Sequence, residues 1–267
     1  MKVRFSSVIS PLIIAFAPLV AFAEPRPDSV SCGSVNRGGL GNPIGLARTG
    51  PGYEIPAMWW QRGNRFATSE LVGLIRRAAA RVARDHPGAV LGVGDLSRAR
   101  GGAIKHHRSH QSGRDADLIF YALDARKRPM RPGNFLPRYR GDRRATHASS
   151  PEWMKLPRQR WFDAARNWAL VVALVQDKTA EIERIFVSLR IYRWLLDAGR
   201  GAGAPADVIA AVTDVLRVAR GRQDHGDHFH VRIRCSAQDI RVGLCRPYLA
   251  PPPPDRTKWR WGIRCPR

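Results

Sequence analysis

The sequence predicts an α+β fold in which a small, mainly antiparallel sheet is packed with helices. Short apolar runs at 89–93, 115–121, 183–188 and 228–234 have strand length, two of them alternating in character. Other stretches, at 70–85, 162–175, 191–199 and 205–220, place apolar residues on one face at helical spacing. With 267 residues, 44% of them hydrophobic, the chain can bury a real core, as one large domain or two small ones.

In chain order, the first segment lies outside that fold. Lys2 and Arg4 make a basic start, residues 5–23 carry no charge, and Ala21-Phe22-Ala23 precedes Glu24-Pro25. This is the pattern of a secretory signal peptide, with cleavage expected after Ala23. Pro11 and Pro18 argue against an uncleaved anchor, and no later segment is long and apolar enough to span a bilayer. The mature chain is expected to be soluble and exported.

Residues 24–66, rich in Gly, Pro and Arg, read as an extended N-terminal arm anchored by Tyr53, Trp59 and Trp60. The main domain is expected over 67–249. Thr68 or Ser69 caps a helix from Glu70 that buries Leu71, Leu74, Ile75, Ala78 and Val82, and His86-Pro87-Gly88 stops it. A buried strand at 89–93 follows, and Gly94-Asp95 opens a loop. The strand at 115–121 puts Asp115, Asp117 and Ile119 on one face and Ala116, Leu118 and Phe120 on the other. Residues 124–160 are basic, without sustained period, and read as a cleft wall. A helix over 162–175, a strand over 183–188 and a helix ending at Gly199 come next. The helix expected over 205–220 shows Val208, Val212, Leu216 and Ala219 on one face, with Pro205 in its first position. The strand at 228–234 closes the set. Residues 250–267 form a proline-rich tail bearing Trp259, Trp261 and Cys265.

Four cysteines suit an oxidising compartment. Three pairings are possible. The preferred one lets Cys235 and Cys245, ten residues apart, clip a loop, and leaves Cys32–Cys265 to tie the chain ends. A four-cysteine zinc site is disfavoured because close C-x2-C pairs are missing. The net charge of +23 favours attraction to polyanions. For an exported chain, anionic envelope polymers are the expected partners rather than nucleic acid. The competing account is that arginines spread along the whole chain simply decorate its surface.

Two stretches carry chemistry. One runs from Gly101-Gly102 through His106, His107 and His110 to Asp115 and Asp117; the other is His225-Gly226-Asp227-His228-Phe229-His230-Val231. Zinc takes neutral imidazole and carboxylate ligands, and a catalytic zinc keeps three of them with water in the open position. Ser112-Gly113 can turn the chain so that His110 and Asp117 reach one point. His228 and His230 share a strand face while Phe229, Val231 and Ile233 point to the core. One of the two can bind metal while the other moves a proton, as amide hydrolysis requires. His86 and His147 are given no role.

The run His-x-x-His-Gln-Ser-Gly-x-Asp-x-Asp from His107, with His-x-x-His-x-His-Val-Arg from His225, resembles the penicillin-insensitive murein endopeptidases. These belong to the zinc peptidases that include lysostaphin-type and D-Ala-D-Ala peptidases and the hedgehog domain. The similarity runs from about Gly39 to Cys245. It implies zinc ligands at His110, Asp117 and His230, a general base at His228, and further active-site histidines at His107 and His225. His106 has no counterpart. The implied activity is cleavage of the D-alanyl–meso-diaminopimelate cross-link of peptidoglycan, in the periplasm and unaffected by penicillin. Arg232, on the strand face of His230, is a candidate anchor for a substrate carboxylate, the favoured competing account being a cleft-rim charge of no consequence. The alternatives are a D,D- or L,D-carboxypeptidase on stem peptides, and a non-catalytic wall-binding protein with structural zinc. The 124–160 loop and the tail depart from the resemblance.

Overall fold

The computed structural model describes residues 29–146, 159–219, 225–241, 244–247 and Cys265. The expected signal segment, His147 and all of the 250–267 tail except Cys265 lie outside the described residues. The central sheet has seven strands: β1 (Thr49–Gly50), β2 (Tyr53–Glu54), β3 (Leu91–Val93), β4 (Asp115–Ile119), β5 (Ile182–Val187), β6 (Leu216–Val218) and β7 (His228–Ile233). Their spatial order is β6-β5-β7-β4-β3-β2-β1. The β5/β6 and β2/β3 pairs are parallel and the other four antiparallel, so the sheet is mainly antiparallel as expected. The helices among the described residues are α1 (Ala57–Arg62), α2 (Ser69–Asp85), α3 (Ala164–Val175), α4 (Leu189–Gly201), α5 (Ala206–Val215) and α6 (Ala237–Arg241).

The strongest sequence periods gave these elements. Thr68 caps α2, its side chain accepting from the Leu71 N–H, and Leu71, Leu74, Ile75, Ala78 and Val82 are all buried. α3 packs between α2 and α4. On β7 the odd-numbered residues Phe229, Val231 and Ile233 enter the core, leaving the other face for His228 and His230. β4 is buried along its whole length, with Ala116 and Leu118 in the apolar core and Asp115 and Asp117 on the opposite face. Register then sets the chemistry: His230 lies opposite Asp117 and Arg232 opposite Asp115. Directly paired side chains on neighbouring strands are in reach of each other.

Several expected boundaries differ. In the stretch expected as an extended arm, the described residues form a hairpin (Val30–Ser34 with Arg37–Gly41), two strands of the central sheet and α1. α4 runs past Gly199, which is not a terminator. An added Cβ there would lie 2.5 Å from Trp168 Cζ2, so glycine lets α3 and α4 approach. α5 begins after Pro205 and stops at Val215, because Leu216 turns extended and pairs with Ile185 to make the edge strand β6. The described residues between 122 and 162 include two-residue ribbons, Ala122–Leu123 pairing with both Pro129–Met130 and Trp161–Phe162. The disulfides are Cys32–Cys265 and Cys235–Cys245. No described helix is long and apolar enough to cross a membrane.

Candidate metal centre

The loop before β4 is bent by unusual backbone. His110 and Gly113 both have positive φ, 67° and 75°. At Gly113 an added Cβ would also meet Leu40 Cδ1 at 2.6 Å, so the turn requires glycine. Ser97 Oγ fastens this turn by donating to the His110 carbonyl (2.6 Å) and accepting from the Gly113 N–H (3.0 Å). The result is a fully buried His110 directed at the polar face of β4 and β7.

Asp117 Oδ1, His110 Nε2 and His230 Nδ1 form a triangle whose three edges are each 3.3 Å. Tetrahedral coordination at zinc-like bond lengths of about 2.0–2.1 Å gives ligand-to-ligand edges of roughly 3.3–3.4 Å. The tautomers agree. His110 Nδ1 lies 2.9 Å from the Leu96 carbonyl, which can only accept, so Nδ1 carries the proton. His230 Nε2–H donates to Asp115 Oδ1 at 2.9 Å. In the neutral rings both nitrogens of the triangle therefore present lone pairs to each other and to a carboxylate. Asp117 Oδ1 is itself buried without a hydrogen-bond partner. Three converging acceptors in a buried place are unfavourable unless a cation sits among them. The residues fit a metal ion.

Asp115 and Arg232 stand behind this triangle. Asp115 is fully buried; burial opposes its charge, but Arg232 and His230 outweigh that and hold its carboxyl well below the usual range. Arg232 Nε donates to Asp115 Oδ1 at 2.7 Å. The guanidinium considered as a substrate anchor is only 5% exposed and is engaged within the protein, a consequence of its register position opposite Asp115.

Three further histidines ring the triangle. His228 Nε2 is 3.3 Å from Asp117 Oδ1, and its Nδ1–H donates to Asp227 Oδ1 at 2.6 Å. Burial opposes the charge on His228, yet the two carboxylates push it up to about 10. His107 Nε2 is 2.9 Å from Asp95 Oδ2, and its Nδ1 is 3.7 Å from Asp117 Oδ2. His225 packs its ring 5.1 Å from His228 and 5.3 Å from His230, with Nδ1 buried and unpartnered. Burial, with the neighbouring histidine charges, takes His225 down to about 3. His107, His110 and Asp117 form one three-donor cluster and His225, His228 and His230 another, either of which could hold a metal ion. His106 is exposed and belongs to neither. Sequence reasoning missed Asp95, Asp115 and Asp227 as partners of the histidines. Asp115 had a signal, because it shares a strand face with Asp117, and Asp227 had another, because it adjoins His228.

Fold and site together define a class: an α+β protein whose sheet carries a buried histidine and aspartate cluster able to hold a metal ion. Comparison with known sequences narrows it. The chain belongs to the penicillin-insensitive murein endopeptidase family, whose sequence model matches residues 31–257. It is 28% identical over 252 residues to the penicillin-insensitive murein endopeptidase of Escherichia coli O157:H7 (strain EC4115 / EHEC), covering 92% of this chain and 80% of that one. Against the proteins of the same name from Shigella dysenteriae serotype 1 (strain Sd197) and Escherichia coli O139:H28 (strain E24377A / ETEC), identity is 29%. Those alignments cover 92% and 91% of this chain and 80% and 79% of the relatives. The match to the family thus extends along most of the chain.

Proposed function

We propose that this chain is a zinc-dependent murein endopeptidase of the periplasm, hydrolysing the D-alanyl–meso-diaminopimelate amide cross-link of peptidoglycan. The observation that carries the reading is the 3.3 Å triangle of bare acceptors, made by His110, Asp117 and His230, within a chain of this family. These three residues would hold the ion. A zinc ion held there would supply Lewis acidity, the chemistry that makes water acidic enough to be deprotonated near neutral pH.

The chain's own residues supply the proton path and the orientation. His228, with Nδ1–H fixed on Asp227, presents Nε2 to the site and acts as the base that takes a proton from water and returns it to the departing amine. Its high affinity for a proton reflects an Asp117 charge that a cation would neutralise. His225, whose buried Nδ1 has no partner within the protein, stabilises charge on the oxygen of the reacting amide, while His107 turns a ring nitrogen towards Asp117 and orients the site. Export through residues 1–23 agrees with two disulfides, which persist in oxidising compartments. A net charge of +23 suits anionic envelope polymers.

Purified protein is to be incubated with cross-linked muropeptides, with and without chelator, and the products weighed by mass spectrometry. Scission between D-alanine and diaminopimelate, abolished by chelation, restored by zinc and indifferent to penicillin, is expected. Undiminished hydrolysis in strong chelator, or release of terminal D-alanine alone, sinks the proposal.

A further inference from the structure

The geometry points to Asp95 as the positioning residue of His107, clamped from α1 so that His107 meets the site with one defined ring nitrogen. Asp95 is fully buried. Its Oδ2 lies 2.9 Å from His107 Nε2 and 2.6 Å from Arg62 Nη2, and its Oδ1 accepts from Asn64 Nδ2 at 3.1 Å. A carboxylate only accepts, so the neutral His107 ring carries its proton on Nε2 and turns a bare Nδ1 towards Asp117 Oδ2, 3.7 Å away.

The mounting is rigid. The Asp117 N–H donates to the Asp95 carbonyl at 2.9 Å, and the Gly94 N–H to the Asp117 carbonyl at 2.8 Å. These main-chain bonds tie the Asp95 loop to the strand that bears Asp117, whatever the side chain at 95. Arg62 comes from the last turn of α1, its guanidinium over the Trp59 ring at 4.8 Å, and is 30% exposed. A charge at the rim of the site thus reaches His107 through one buried carboxylate. Carboxylates that orient site histidines fix tautomer and ring direction.

The inference rests on the reading of His107 as an active-site group, and the test separates the two. Asp95→Ala removes the acceptor of His107 Nε2–H, together with those of Arg62 Nη2 and Asn64 Nδ2, while the main-chain bonds to Asp117 remain. Asparagine is unsuited to the test, because Arg62 Nη2 would draw its amide oxygen to the Oδ2 position and keep the bond to His107. Long-range 1H–15N spectra of the zinc-loaded wild-type protein should show His107 protonated on Nε2, and the Asp95→Ala spectrum should show that signature lost. Zinc content should stay as in wild type. On cross-linked muropeptides kcat should fall by about 10–100-fold with KM little changed. Asp95→Ala/His107→Ala should be no slower than His107→Ala alone, because Asp95 acts through that ring. A wild-type His107 bearing its proton on Nδ1, or rate losses that multiply in the double variant, overturns the assignment even where Asp95→Ala folds poorly. Zinc-loaded wild-type protein that cuts no cross-link overturns the functional reading and the kinetic role with it, whereas the ring assignment stands on the wild-type spectrum alone.

Discussion

Asp115→Ala tests the framework behind the proposed metal ligands. The substitution removes the acceptor for Arg232 Nε (2.7 Å) and for His230 Nε2 (2.9 Å), and the partner of the His110 N–H (3.3 Å). Arg232 is left 5% exposed without its carboxylate. Breaking a buried ion pair from one side costs about 3–5 kcal/mol, since it strands a charge away from water. For a domain of this size each kcal/mol lowers Tm by about 2–4 °C, so a fall of roughly 6–20 °C is expected for the metal-free protein. His230 also loses the bond that fixes its tautomer, which should weaken zinc binding about 10–100-fold, or about 1.4–2.7 kcal/mol. Thermal melts followed by circular dichroism give the first quantity and competition with a chromophoric chelator the second. Asp115→Ala/Arg232→Met separates them: with both charges gone, Tm should recover most of its loss, whereas zinc affinity should not. A Tm within about 2 °C of wild type for Asp115→Ala, or unaltered zinc affinity in both variants, refutes the reasoning.

His228→Ala should keep its zinc and lose activity by about 10²–10⁴-fold, the usual worth of a positioned base; a variant that digests muropeptides at the wild-type rate removes His228 from that role. Gly199→Ala sets two effects against each other. Alanine gains about 1 kcal/mol of helix propensity, but its Cβ would sit 2.5 Å from Trp168 Cζ2, and overpacking a core costs about 1–3 kcal/mol. The indole is buried and held between helices, so net destabilisation of about 1 kcal/mol is expected from denaturant titration, and a stabilised variant would contradict the close-approach argument. Asp177 takes two hydrogen bonds from Arg77, at 2.7 and 3.0 Å, across α2 and the end of α3. Burial opposes its charge, but Arg77 and Thr179 outweigh that and hold its carboxyl below the usual range. The pair's contribution is therefore complete above the unfolded carboxylate value near 3.9 and is lost as pH falls through the lower folded value. Asp177→Asn should flatten the acid limb of Tm against pH below about pH 4; an unchanged limb counts against the pair.

What could be read from the sequence follows from how far each determinant reaches along the chain. α2, α3 and β7 declare themselves because burial on one face writes a period into ten or more residues, or a clean alternation into six. β1 and β2 are two residues each, too short for any period, and they join the sheet only because β3 offers an edge to Tyr53 and Glu54. β6 was hidden differently. Val208, Val212 and Leu216 keep a helical interval through the true end of α5, and the same Leu216 satisfies an edge strand beside Ile185. A local pattern compatible with both structures is decided by the neighbouring strand, which the pattern does not contain.

The site divides along the same line. His110, Asp117, His228 and His230 lie in two short runs: strand alternation puts His228 and His230 on a common face, and the turn at Gly113 brings His110 back to Asp117. Asp95 stands 12 residues before His107 with no period linking them, and only the main-chain bonds between the Asp95 loop and β4 bring it to the ring. Arg232 shows the intermediate case. Alternation placed it correctly on the face of His230, yet its reading as a substrate anchor took that face to be open. Once His230 pairs with Asp117 across an antiparallel ladder, the residue two further along β7 must meet the residue two earlier on β4. That residue is Asp115, buried and charged, so the guanidinium turns inward to it rather than outward to a ligand.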